Sequence, residues 1–396
     1  MLIAAAHLVT AAGANEPVPF QGFVEITDGA ISGVGPGLPA RPADVTLDTG
    51  YLLPGFVDLQ VNGYFGADFQ TADASSWAVV AGRLPETGTT SFAPTVITAP
   101  IDSLVATLRG ARPIVAGLPP GGARVLGVHV EGPFIAPRRR GAHNPAWITE
   151  PTPTAVGALV EAGGGLLRLV TLAPERPGGL DAVSQLTAAG VLVSVGHSDA
   201  FAAQVAQAAD RGAAKVTHLF NAQRPLGHRE PGVVGQALSD SRLTSGLIVD
   251  LHHVAGSVCK IAFDAAQGRI ALVTDAAACA GMPPGEYQLG GEPITLPPGD
   301  SQPPVRSDGT LAGSNLRMDR AVANAVASGI TLTAAVTAAT RIPADLIGRP
   351  DLGRIAPGVE ADLVWLGPDL ETRATWVGGQ LVYTDGAAAT LAALQA

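Results

Sequence analysis

Residues 124–132 read RVLGVHVEG, residues 191–198 VLVSVGHS, residues 215–221 KVTHLFN and residues 269–276 RIALVTDA. Each is a continuous Val/Leu-rich run, the pattern of a strand buried on both faces in a parallel sheet. Each also carries, at or near its end, a side chain able to hold a metal or move a proton: Glu131, His197, His218 and Asp275. Parallel sheets and barrels place their chemistry at the carboxyl ends of their strands. A carboxylate and two imidazoles meeting there form a first-row metal site with a position left for water. On these residues alone the chain reads as a metal-dependent hydrolase.

Four more apolar runs, GFVDLQV (55–61), TTSFAPTV (89–96), LLRLVTLA (166–173) and LTSGLIVDLHH (243–253), bring the count to eight. Alanine-rich amphipathic segments such as AFAAQVAQAADRG and VAGSVCKIAFDAAQG fill most of the gaps. Alternation of this kind predicts an α/β fold with a parallel sheet. Eight units are the number that closes a (β/α)8 TIM-like barrel, expected over residues 54–355. The ends differ. Residues 1–53, with FVEITDGAISGVG, and 356–396, with ADLVWLGPD and TRATWVGGQLVYTD, read as short strands and turns. The two ends are expected to pair into one small β-sandwich domain beside the barrel. The Gly- and Pro-rich stretch 280–313 predicts a long loop or hairpin after the eighth strand, a usual place for substrate contacts.

Composition narrows the function further. Apolar residues make up 47% of the 396 and charged residues 15%, enough for a large core. A net charge of −10 argues against a nucleic-acid surface, which needs basic clusters. No apolar run approaches the roughly 18 residues of a membrane span. The opening MLIAAAHLVTAAG lacks the cationic region of a signal peptide. Cys259 and Cys279 form no CxxC, so a cytoplasmic location is expected, with each cysteine a small buried hydrophobe and Cys279 a minor candidate for the site wall.

Every candidate has a plainer reading. Glu131 could pair with an arginine of the 138–140 run, and His197 or His218 alone would read as a hydrogen-bonded core histidine. Their joint placement at the ends of the third, fifth and sixth strands favours metal binding. His129, two residues before Glu131, shares its side of the strand and is expected deeper, in packing or support. Asp275 could cap a turn, but its place at the last strand's end favours a general base. His143 in RRGAHNP reads on its own as a solvated loop histidine. His253 in VDLHHV and Arg229 in GHREPG extend the polar cluster on that face, with surface solvation as the alternative.

The ordered series PGFVDLQVNG, GVHVEGPF, RRGAHNP, SVGHSDA, THLFNAQ, REPG, LVTDA and LAGSNL spans nearly the whole chain. It resembles the amidohydrolase superfamily, and within it the branch that deacetylates N-acetylglucosamine 6-phosphate to glucosamine 6-phosphate and acetate. The resemblance implies one catalytic divalent metal per subunit on Glu131, His197 and His218. Zinc suits that ligand set, and iron, cobalt or manganese would also fit. It implies Asp275 as base and then acid, and His143 as the group polarising the acetyl carbonyl. Asn221, Ala222, Arg229, His253 and the segment Leu311, Ala312, Gly313 and Ser314 match positions contacting the sugar phosphate. In this family the phosphate-binding arginine and histidine can come from the neighbouring subunit, which implies a homodimer with shared active sites.

Two departures bear on that reading. Many relatives carry His-x-His on the first strand and hold two metals, whereas this chain has Gln60 and Asn62, so a single metal is expected. The family's Asp-Gly-x-His stretch is Asp250-Leu251-His252-His253 here, and register favours His253 as the residue facing substrate. The competing functions are another amidohydrolase, such as a cyclic amidase or N-acyl-amino-acid deacylase, and an inactive barrel serving as a scaffold. The missing His-x-His, and a Lys215 that starts its strand, count against the first. The four intact side chains count against the second.

Overall fold

The computed structural model describes residues 1–13, 18–71, 73–299 and 301–386. At its centre are eight strands: β1 (Phe56–Val61), β2 (Thr89–Ile97), β3 (Val128–Glu131), β4 (Leu167–Leu172), β5 (Leu192–Val195), β6 (Ala213–Val216), β7 (Thr244–Leu247) and β8 (Ile270–Leu272). Each pairs in parallel with the next in chain order. A parallel bridge from Val61 to Ala276, with Asp275 N donating to Gln60 O at 2.9 Å, joins the last strand to the first. The chain therefore adopts the expected TIM-like barrel.

The eight strands alternate with helices α1 (Ala74–Arg83), α2 (Ile101–Ala116), α3 (Pro153–Gly163), α4 (Gly179–Ala188), α5 (Ala202–Asp210), α6 (Gly232–Ser239), α7 (Gly256–Ala266) and α8 (Met318–Ala327). Local sequence sets their limits. α3 starts where the Thr152 hydroxyl accepts from Ala155 N, with proline in its first turn, and stops at Gly164 in the left-handed region. α7 turns Cys259, Ala262 and Ala266 to the barrel, small side chains that let helix and sheet approach closely.

β5 and β8 are shorter than the apolar runs that contain them, and β6 begins before its run and stops at Val216. The reason lies at their ends, where His197, His218 and Asp275 take φ values of 47°, 25° and 52°. Positive φ cannot continue an extended chain, so each strand stops before the residue that carries the chemistry. The barrel interior is also more polar than a usual core. Thr95, His129, Thr171, Thr217 and Ser194 form one hydrogen-bonded chain across it, with links of 3.2, 2.8, 2.7 and 2.5 Å. Buried polar groups persist only when satisfied in this way. His129 is thus a support deep in the barrel, and burial pushes its imidazole down to about 3, keeping it neutral.

Strands from both ends of the chain share a second, eight-stranded sheet. Its seam is the antiparallel pairing of Tyr51–Pro54 with Leu363–Leu366. A separate core that includes Ile3, Leu8, Ile31 and Trp376 underlies it. Arg124, just before β3, pairs with Glu360 at 3.0 Å and with Asp362, tying barrel to sheet. Residues 387–396, at the end of the segment expected here, lie outside the described residues. Within 280–313, Gly285–Leu289 and Glu292–Leu296 make a hairpin. No described helix is long and apolar enough to cross a membrane.

Candidate active site

Glu131, the last residue of β3, sets the geometry. Its Oε1 lies 3.2 Å from His197 Nε2 and 3.1 Å from His218 Nε2, and the two imidazole nitrogens are 3.0 Å apart. Three donors bound to one ion at ordinary Zn–N and Zn–O lengths in tetrahedral array sit about 3.4 Å apart. The triangle fits a small divalent cation. Glu131, His143 and His197 also place ligand atoms within 4.8 Å of one another, so His143 stands beside the same point. His218 Nε2 closes the tight triangle, while His143 Nδ1 is held by Thr98 Oγ1 at 2.7 Å.

The orientation of the donors is fixed from outside. His197 Nδ1 lies 2.8 Å from the carbonyl of Arg139, which can only accept, so that nitrogen donates and Nε2 presents its lone pair. Gly141 in RRGAHNP has φ 54°, and a Cβ there would stand 3.3 Å from His197 Cε1, so glycine lets this loop close on the ring. Burial alone would raise the Glu131 carboxyl, yet the adjoining His197 and His218 imidazoles hold it well below the ordinary range. Burial would lower His218, and its hydrogen bond to Glu131 reverses that, so it is raised. The set therefore keeps an anionic oxygen facing two imidazole nitrogens, a crowding that a cation relieves.

Asp275 follows β8 and is 8% exposed. Its Oδ1 accepts from Gln60 Nε2 at 3.0 Å and from Asn62 Nδ2 at 2.7 Å, which leaves Oδ2 without a hydrogen bond among the described residues. Gln60 Nε2 also lies 3.3 Å from both Glu131 oxygens. Burial, then the charge of Glu131, pushes the Asp275 carboxyl up. His143 is buried and packs against His197 with ring centroids 4.3 Å apart and planes tilted by 58°. Burial, then His197, pushes its imidazole well down, so the ring is neutral.

These groups line a cavity of about 280 Å³, and Asn221, Ala222, His253, Leu311 and Gly313 also face it. Ala312 and Ser314 do not line it. Both are fully buried, and Ser314 instead ties the segment to β8, its hydroxyl donating to Thr274 O at 2.5 Å and its N–H to Asp275 O at 2.8 Å. Arg229 is exposed and outside the lining of its own chain's cavity. Cys279 is buried but off the wall. The arginines of 138–140 do not pair with Glu131; Arg139 bridges Asp199 at 2.8 Å.

Sequence reasoning treated Gln60 and Asn62 only as absent ligands, whereas the fold uses their amides to orient two carboxylates. Thr98, one residue past β2, was missed, although the rule that chemistry sits at strand ends applies to it equally. The carbonyl of Arg139 had no sequence signal, since any residue supplies one.

A profile of the amidohydrolase family matches residues 51–382. The chain is 35% identical over 375 residues to an N-acetylglucosamine-6-phosphate deacetylase from Bacillus subtilis, covering 92% of this chain and 93% of that protein. It is 37% identical to an N-acetylgalactosamine-6-phosphate deacetylase from Escherichia coli O157:H7, covering 90% and 94%. Among solved structures, a point variant of N-acetyl-D-glucosamine-6-phosphate deacetylase from Mycobacterium smegmatis, in complex with N-acetyl-D-glucosamine-6-phosphate, superposes with a TM-score of 0.90. That pair is 36% identical, with 97% and 99% of the two chains covered.

Proposed function

The chain belongs to the amidohydrolase family, and from that premise we propose that it hydrolyses the acetamide of N-acetylglucosamine 6-phosphate to glucosamine 6-phosphate and acetate. The observation that carries this reading is the convergence of Glu131, His197, His218 and Asp275 on one cavity, in a chain whose relatives bear that activity in their names.

Glu131, His197 and His218 would hold one metal ion per subunit, and zinc suits one carboxylate and two imidazoles. When bound there, the ion supplies Lewis-acid polarisation and lowers the pKa of water. Asp275 takes the proton of the attacking water at Oδ2, because Oδ1 is occupied by Gln60 and Asn62. Its raised pKa makes it a stronger base than a surface aspartate, and it then returns the proton to the leaving amine. His143, its ring fixed by the 2.7 Å contact of Nδ1 with Thr98 Oγ1, turns Nε2 to the developing oxyanion and, in the tautomer that carries its proton on Nε2, stabilises it by a hydrogen bond. Asn221, Ala222, His253 and the Leu311–Ser314 segment hold the sugar phosphate, Ala312 and Ser314 by placing their neighbours. Contacts remote from the scissile bond orient it and so contribute to rate.

Arg229 is assigned to the phosphate of a neighbouring subunit's substrate, in a homodimer with shared sites. Its exposure away from its own cavity supports that assignment. A reducing, cytoplasmic setting is proposed, supported by the two unpaired cysteines.

The test is acetate release from N-acetylglucosamine 6-phosphate, expected to vanish with a chelator and return with a divalent metal. Metal-loaded protein inert toward this sugar sinks the proposal. The C4 epimer is run alongside, because one relative is named for it. A clear preference for the epimer would move the substrate while leaving the chemistry. Near one metal per chain is expected; near two would favour a binuclear amidase.

A further inference from the structure

The loop after β7 contains a turn built against its own backbone preference. Leu251 sits at φ 66°, a region that disfavours any residue with a Cβ, and its side chain is 43% exposed, so burial offers little in return. What over-determines the turn is Asp250. Its Oδ1 accepts from His252 N at 2.9 Å and His253 N at 2.8 Å, and its Oδ2 lies 2.6 Å from His253 Nδ1. Both side chains are buried, at 6% and 7% exposed. From behind, Asn324 of α8 donates to Val249 O at 2.8 Å.

The chemistry of the pair follows from which groups can donate. Burial would raise the Asp250 carboxyl, but the hydrogen bond and charge of His253 with the two backbone N–H groups hold it below the ordinary range. A carboxylate only accepts, so His253 Nδ1 must donate to it. His253 itself lines the cavity, and with Nδ1 turned to Asp250 its Nε2 is the ring nitrogen left for a ligand.

We propose that Asp250 is a positioning residue for the substrate's anionic group: it clamps His253 by Nδ1–H so that the other side of the ring, with Nε2, is held toward the phosphate. This rests on the reading that the cavity takes a phosphorylated amino sugar. The strained Leu251 turn makes the clamp matter more in this chain than it would with glycine at that position.

The experiment measures kcat and KM for N-acetylglucosamine 6-phosphate and for unphosphorylated N-acetylglucosamine in Asp250→Asn, His253→Asn and the double variant. Loss of a charge-assisted contact predicts a KM for the phosphorylated sugar raised about 10- to 100-fold, with kcat moved less. KM for the unphosphorylated sugar should stay within about twofold, and Asp250→Asn should add nothing in the His253→Asn background. All variants are repeated with Leu251→Gly, which relieves the turn and protects against misfolding. A KM defect that persists there supports the clamp. Equal losses on both sugars, additivity in the double variant, or rescue by Leu251→Gly each overturn it. A parent protein inert toward both sugars sinks the functional reading and the clamp with it, whereas an active parent matched by Asp250→Asn sinks the clamp alone.

Discussion

Replacing Gly196 by alanine tests whether the metal triangle depends on packing inside the barrel. Gly196 immediately precedes His197, and a Cβ there would stand 2.6 Å from Thr171 Cγ2 and 2.7 Å from Thr217 Cβ. Cβ atoms essentially never approach within 3.0 Å of a neighbour. Neither threonine can swing away cheaply. Their hydroxyls are 2.7 Å apart, Thr217 also meets Ser194 at 2.5 Å, and Thr171 meets His129 at 2.8 Å. Overpacking a core costs about 1 to 3 kcal/mol, and breaking one link of the polar chain adds about 1 kcal/mol, so about 3 kcal/mol is expected. With about 2.1 cal/mol/K of unfolding entropy per residue, that lowers the Tm of a 396-residue chain by about 4 °C. The sharper signature is metal content. Relief of the clash displaces His197, whose Nε2 holds its place within 3.2 Å of Glu131 and 3.0 Å of His218. The assay is thermal unfolding with and without chelator, beside metal analysis. The parent should lose Tm on chelation, because a ligand that binds only the folded state stabilises it, and the variant should lose less. A variant with full metal content and a Tm within about 1 °C of the parent would refute the reasoning.

Three other outcomes are expected. Asp275→Asn should keep its metal but lose about a hundredfold or more of kcat, and activity within tenfold of the parent would remove Asp275 as the base. Burial pushes the Asp58 carboxyl up to about 7 against hydrogen bonds from Thr274 and Gln60. The folded chain keeps that proton where the unfolded chain releases it, so this stability is complete below about pH 4 and is lost toward about pH 7, by about 1.4 kcal/mol per pH unit. Asp58→Asn should flatten that slope in urea unfolding at several pH values, and an unchanged slope would count against it. Lys215 is fully buried, its Nζ has no hydrogen-bond partner among the described residues, and burial pushes it down to about 8. Lys215→Met should raise the stability of metal-loaded protein by about 1 to 3 kcal/mol. A lowered Tm would mean that the ammonium's attraction to Glu131, Asp275 and Asp58 outweighs its desolvation.

The number and order of the barrel strands were legible because strands buried on both faces leave no polar period, and eight such runs stand out in VLVSVGHS, RIALVTDA and their companions. Residue type alone also singled out Glu131, His197, His218 and Asp275, since such groups are costly at the end of a buried strand without a task. Strand ends were not legible. The extended backbone breaks where His197, His218 and Asp275 enter positive φ, and nothing in their side chains announces it. Tertiary structure alone decided how the site is held. It gave Gln60 and Asn62 to Asp275, Thr98 to His143, the Arg139 carbonyl to His197, and Asp250 to His253. Four of these pairings span 45 residues or more, up to 215, and the Arg139 carbonyl is main chain. Local hydrophobic pattern is written residue by residue, whereas a hydrogen bond between distant strand ends exists only once the barrel has closed.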